Sequence, residues 1–170
     1  MYKGQIFSTD LLFAMVIMIL CLGTIVSAYE FNLYNQKQHD IQKDLKEKTE
    51  TAIIILTNSV ANCQINDFNG RTMSLAYSIN TNKLTTLAAN PKALKEALAI
   101  QDLNLQIKLS TSGIIINEEI NAQNIVGIDL SIMTCNSSAT MSDLNECINS
   151  SSPCNNPNIK MQTLSLKVEK

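Results

Sequence analysis

Residues 11–29 read LLFAMVIMILCLGTIVSAY, nineteen consecutive positions without a charge. As an α-helix this run is roughly 28 Å long, close to the thickness of a bilayer's hydrocarbon core. No other stretch approaches it. Lys3 and the chain's amino group precede the run, and Glu30 is the first charge after it. Counted on these charges, the positive-inside rule places the N-terminus in the cytoplasm and the rest outside. Two plain readings are a single-span anchor and a cleavable secretory signal. For the second, Val26, Ser27 and Ala28 before Tyr29 supply small residues at the positions a signal peptidase reads.

The balance of residues narrows the functional classes. The chain has 170 residues, 45% of them hydrophobic and 16% charged, with a net charge of -2. That is one ordinary domain plus a little more. Without an excess of Lys and Arg to displace counterions, a nucleic-acid partner is disfavoured. Apolar content near the globular norm argues against wholesale disorder. Trp is absent, with four Tyr and four Phe, so the core is expected to be aliphatic. Enzyme chemistry is poorly provided for. The single His, His39, sits beside Asp40 in a charged stretch and reads as a surface residue. There is no phosphate-binding Gly loop, no Ser-His-Asp arrangement and no paired acids with a pocket signal. No catalytic residue and no cofactor is expected.

The residues upstream of the apolar run suit neither plain reading. A standard secretory signal joins its basic lead directly to its apolar run. Here residues 4–10, GQIFSTD, intervene, and Asp10 sits at the very edge of the run. A carboxylate costs about 2.5–3.5 kcal/mol at a bilayer centre and less at its edge. Lys3, Gly4 and Gln5, then Ser8 and Asp10, then an unbroken apolar helix, resemble the class III signal of archaeal type IV pilin-like proteins. That family has a short basic leader, a cut after Gly or Ala, Gln at the new N-terminus, and an acid about five residues further on. The resemblance implies cleavage between Gly4 and Gln5 by a prepilin peptidase. It also implies an assembly role for Asp10. In a filament the apolar helices bundle without lipid, and the mature amino group of one subunit is buried near its neighbours. An acid on an adjacent subunit neutralises it. At about 4 Å and an effective dielectric near 20 the attraction is ~4 kcal/mol. Desolvation offsets much of that, so the pair sets register more than stability.

Beyond the run the helix is expected to continue. After Gly23 there is no Gly or Pro until Gly70. Tyr34, Ile41, Leu45, Ala52, Leu56 and Ser59 recur at helical spacings and form one apolar stripe. Asp44 with Lys48 and Lys46 with Glu50 are i,i+4 pairs on a solvated face. Residues 6–62 thus predict one helix of roughly 85 Å, ending at the turn formers of residues 66–70.

The rest predicts a small head. Met73, Leu75, Tyr77 and Ile79 alternate weakly, which fits a strand better than a helical continuation, residues 82–89 form a short helical turn, and Asn90 with Pro91 starts a helix. Leu103 to Leu109 alternate strictly, residues 110–113 turn, and residues 114–117 complete a hairpin. Residues 126–132 and 164–168 alternate again. Strands with one apolar face need a cover, and the stripe of the long helix is the available one. The expected fold class is α+β, a long N-terminal helix, membrane-spanning in its first half, packed on a small antiparallel β-sheet head domain. Its parts are a leader at 1–4, a transmembrane or polymerisation helix at 5–29, an amphipathic continuation at 30–62 and an extracellular head at 63–170.

Cys21 lies inside the apolar run and reads as inert packing. Cys63, Cys135, Cys147 and Cys154 remain, an even number that predicts two disulfides in an exported domain, with three pairings open. No CxxC pair and no neighbouring His accompany them, so no metal site is expected. Residues 135–154 are rich in Ser, Asn and Thr and read as a loop needing a covalent tie. Asn136 and Asn149 each begin a glycosylation sequon within it. Residues 121–159 contain no Lys or Arg, which fits a neutral surface, a glycan or a neighbouring subunit.

The sequence therefore predicts a structural subunit, major or minor, of an extracellular type IV-like filament. Its partners are the membrane and copies of itself or other pilin-like subunits. It is located at the cell membrane, single-pass with its C-terminal domain outside, or in the filament. The alternative is a single-pass surface protein whose head binds a partner without polymerising. A third reading is a soluble domain released at Ala28.

Overall fold

The computed structural model describes residues 3–111, 113–120, 124–150, 154 and 156–170. The chain divides into two units, residues 1–41 and 42–170.

The first unit is helical. It holds the first part of α1, the helix Lys3–Ile55. The only Gly within its apolar run, Gly23, is carried without a break. Thr24 donates its hydroxyl proton to the Cys21 carbonyl at 2.8 Å, so the polar group is satisfied inside the helix.

The second unit begins with the last turns of α1. Leu45, Ala52 and Ile53 of α1 and the following Leu56 are buried, with Thr49 and Thr57 among them. Both threonine hydroxyls donate one turn back, Thr49 to Leu45 O at 2.6 Å and Thr57 to Ile53 O at 2.8 Å. The expected stripe is therefore shifted. Tyr34 and Ser59 are exposed, Ile41 is half-buried, and Thr49 and Ile53 take part instead.

The helix also ends earlier than the turn formers at 66–70 imply. Leu56–Val60 widens into a π turn, closed by Ala61 N donating to Leu56 O at 2.9 Å. Asn58 Oδ1 then accepts the amide of Tyr77 at 3.0 Å. The chain leaves as β1 (Gln64–Asn66), which pairs antiparallel with β2 (Thr72–Ser74). The polar cluster makes the turn of this hairpin. Asp67 Oδ1 accepts the amides of Asn69 and Arg71, both at 2.8 Å, and Gly70 supplies a φ of 75°. Residues 73–79 do not form one strand. Tyr77, at φ 51°, separates β2 from β3 (Ser78–Asn80).

Two short helices follow, α2 (Thr81–Ala88) and α3 (Pro91–Ala97). Asn80 caps the first by accepting from Asn82 and Lys83 N, and Asn90 caps the second by accepting from Ala93 N. Strands β4 (Asn104–Leu109), β5 (Gly113–Asn117), β6 (Ile125–Cys135) and β7 (Ile159–Glu169) complete a five-stranded sheet with β3, in the order β3-β6-β7-β4-β5. The pairings are antiparallel except at one edge, where β3 runs parallel to β6.

Register explains the core. Leu105 faces Val168, Ile107 faces Leu166 and Leu109 faces Leu164, and all six are buried. On the other side of β7, Ile128 and Leu130 oppose the same Leu166 and Leu164. Leu84 of α2, Leu94 of α3 and the buried residues of α1 add to this aliphatic core. Each fully buried Leu or Ile contributes about 1.5–3 kcal/mol. Glu118 anchors α3 to β4, taking Lys95 Nζ at 3.1 Å and the Leu105 amide at 2.7 Å.

At its far end the sheet carries a second, smaller core. Cys63, Ile65, Cys135, Ala139, Leu144 and Ile159 pack together. Cys135 and Ile159 alternate with the residues of the main face, so they point to the opposite side. Leu144 comes from α4 (Met141–Asn149), a helix within the stretch expected to be a loop. Its start is a capping box. Thr140 Oγ1 accepts the Asp143 amide at 3.4 Å and Asp143 Oδ2 accepts the Thr140 amide at 2.8 Å.

Hydrogen bonds from the Thr140 hydroxyl and amide, with Asn158 and Asn156 adding to them, hold the Asp143 carboxyl below its ordinary range. A carboxylate depressed on folding stabilises above its unfolded value, and that stability is lost as pH falls through the folded one. Asp143→Asn should therefore lower the melting temperature at neutral pH. The gap from wild type should close as the solution is acidified towards about pH 2. A gap that stays constant across this range would show that the charge on Asp143 does not support α4.

Candidate functional site: the exposed apolar helix and the cysteine-bounded rim

In the first unit every residue from Thr9 to Lys37 is exposed. The exposed side chains include Leu11, Phe13, Ile17, Ile19, Leu20 and Ile25, most of them more than half accessible. A contiguous apolar surface of this extent is far beyond what soluble monomers leave in water. The helix is long and apolar enough to cross a membrane by length and composition. Tyr29 ends the run and Phe31 and Tyr34 follow it, and amphipathic Tyr rings sit at a membrane's edge. Asp10 is exposed at its N-terminal border, one residue before Leu11. Cys21 is a free thiol on the same exposed surface, not packed within this chain. Gly4 and Gln5 belong to the first turn of α1, and their exposure lies outside what is described.

The charged stretch that follows carries no site. His39 is exposed. Asp44 and Lys48 pair at 2.9 Å and Lys46 and Glu50 at 4.0 Å, on exposed side chains. Such pairs contribute about 0.3–0.5 kcal/mol each.

In the second unit the four remaining cysteines converge on the far end of the sheet. Cys63 bonds Cys135, with Cα atoms 6.0 Å apart and a sequence separation of 72. The bond ties the exit of the helix to the last residue of β6. Cys147 bonds Cys154, Cα atoms 4.8 Å apart, and closes the segment after α4. Among the described residues no group of His, Cys, Asp or Glu has the arrangement to hold a metal ion.

The two sequons differ in geometry. Asn136 is half-buried. Its Nδ2 donates to Asn158 Oδ1 at 2.8 Å, and its Oδ1 accepts the Ser138 amide at 2.9 Å. The atom a glycan would take is therefore engaged. Asn149 is exposed on the last turn of α4, while Ser151 of its sequon lies outside the described residues. Asn158 also donates to both carboxylate oxygens of Asp143, each at 3.3 Å. Sequence reasoning missed this asparagine network. Its one readable trace was Thr140 three residues before Asp143, the spacing of a capping box.

Non-reducing peptide mapping should recover Cys63 joined to Cys135 and Cys147 joined to Cys154, with Cys21 alkylatable after detergent extraction. Constraint of the unfolded chain gives the longer bond about 4 kcal/mol, so Cys63→Ser with Cys135→Ser should sharply lower the melting temperature. Recovery of either alternative pairing would contradict this arrangement.

No protein-family model, no curated protein and no solved structure matches this chain.

Proposed function

We propose that this chain is a structural subunit of an extracellular type IV-like filament, similar to the pilin-like proteins of archaea. Residues 5–29 form the polymerisation helix, and the disulfide-bonded head is displayed outside. One observation carries the reading. Residues 9–37 are exposed throughout, although most of residues 11–29 are large and apolar. Such a surface needs lipid before assembly, and the helices of neighbouring subunits can replace the lipid afterwards.

Asp10 supports the choice of a bundle over a plain anchor. At the border of a plain anchor a carboxylate is an ordinary interfacial charge. In a bundle of like helices it meets the free amino group that a cut before Gln5 creates on a neighbour. Cleavage after Gly4 by a prepilin peptidase belongs to the same reading. Catalysis and cofactors have no part in it. Glycan on the outer head would be carried by Asn149, whose side chain is exposed, in preference to Asn136, whose amide nitrogen is engaged.

Asp10→Ala should abolish recovery in sheared filaments while leaving the amount in the membrane fraction unchanged. Normal incorporation of that variant would remove Asp10 from the assembly mechanism. In glycopeptide analysis of native protein, a sugar mass is expected at Asn149 and none at Asn136. Modification confined to Asn136 would contradict the assignment.

A further inference from the structure

The main face of the sheet extends past the point where its apolar residues stop. Along β7 the buried Leu164, Leu166 and Val168 are preceded on the same face by Gln162 and then Lys160. Across the pairing, Ile132 faces Gln162 and Thr134 faces Lys160. Gln162 is 7% exposed and Thr134 3% exposed, so two polar side chains are buried where the aliphatic core ends. With Thr81 at the start of α2 and Thr111 beyond β4, they and Lys160 line a cleft of about 270 Å³.

The hydrogen bonds of the wall define what the cleft still offers. Thr81 donates its hydroxyl proton to Cys135 O at 3.2 Å, and Thr134 donates its own to Lys160 O at 3.2 Å. Each hydroxyl has used its donor and keeps acceptor lone pairs. Asn136 donates to Asn158 and Asn158 donates to Asp143, so the rim amides are engaged. Gln162 differs. Its Oε1 is buried and has no hydrogen-bond partner among the described residues. Buried polar groups are rarely left so, and a missing bound group is a physical explanation. Lys160, like most of the chain's lysines, forms no ion pair among the described residues and so brings an available ammonium to the cleft.

A matching ligand brings a carboxylate for the Lys160 ammonium and hydroxyl groups for Gln162 and the threonines. A hydroxyl both donates and accepts, so it satisfies the Gln162 amide in either of its two orientations. A neutral sugar leaves the ammonium unpaired, and a simple carboxylate leaves the amide unpaired. We propose that this cleft binds a carboxylated sugar unit, held by Lys160 at its carboxylate and by Gln162, Thr134 and Thr81 at its hydroxyls. The site lies wholly in the 42–170 unit and stands whether or not the chain polymerises.

The test uses the full chain in detergent micelles, with both disulfides intact and its glutamine side chains labelled for NMR. Sodium glucuronate is the probe, with glucose and acetate as its two halves. Glucuronate should shift the Gln162 side-chain resonance saturably below about 10 mM, and glucose and acetate should each bind about tenfold more weakly. Lys160→Met should weaken glucuronate binding by about tenfold, the loss expected for one charge-assisted hydrogen bond. Thr134 bonds the backbone carbonyl of residue 160, which this substitution keeps, and Lys160→Gln serves if the Met variant misfolds. No saturation by glucuronate would show that the cleft holds ordered water only and would overturn the proposal. Equal binding of glucose, or full binding by a folded Lys160 variant, would overturn it as well.

Discussion

The burial of one helical stripe governs the head. A twisted sheet whose main face carries Leu105, Ile107, Leu109, Leu164, Leu166 and Val168 cannot leave that face in water. Leu45, Ala52, Ile53 and Leu56 are buried with it in the same unit, and α2 and α3 add one fully buried Leu each. The threonines in that stripe fit because each returns its hydroxyl proton to the preceding turn. A π turn then releases the chain in time for Cys63 to reach Cys135. The same α1 thus holds two kinds of sequence. Its last turns bury one face, and its residues 9–37 are exposed all round.

The far end of the sheet is organised differently. It has few large aliphatic residues, and covalent and polar constraints replace them. Two disulfides, the Thr140 and Asp143 capping box and the Asn136, Asn156 and Asn158 contacts fix a segment of low apolar content. A small core around Leu144 and Ile159 is sufficient once the two disulfides have lowered the entropy of the unfolded chain. The absence of Lys and Arg from residues 121–159 leaves this surface neutral to acidic, next to a cleft whose cation is Lys160.

The legible parts of the fold were those with a strong period or a strong breaker. The strict alternation of Leu103 to Leu109 gave β4, and Asn90 before Pro91 gave the start of α3. The absence of Gly and Pro after Gly23 gave the continuity of α1. What escaped depended on partners distant in sequence. The end of α1 is set by a π turn and a contact from Asn58 to Tyr77, nineteen residues on, which no local spacing reveals. The parallel pairing of β3 with β6 brings together segments more than fifty residues apart. Helix α4 was hidden by its Ser and Asn content, although Thr140 and Asp143 marked its start. The sequons read as equivalent because the bond from Asn136 to Asn158 is tertiary. Asp10 is legible only as a charge in an unusual place, since the partner it implies belongs to another molecule.

The central claim is that the exposed apolar helix assembles with its own kind after its leader is removed. Mass spectrometry of the mature N-terminus, on protein taken from the native cell surface, tests this most directly. A chain beginning at Gln5 is the result this account predicts. A chain that keeps Met1 would contradict it and leave a membrane-anchored head in its place.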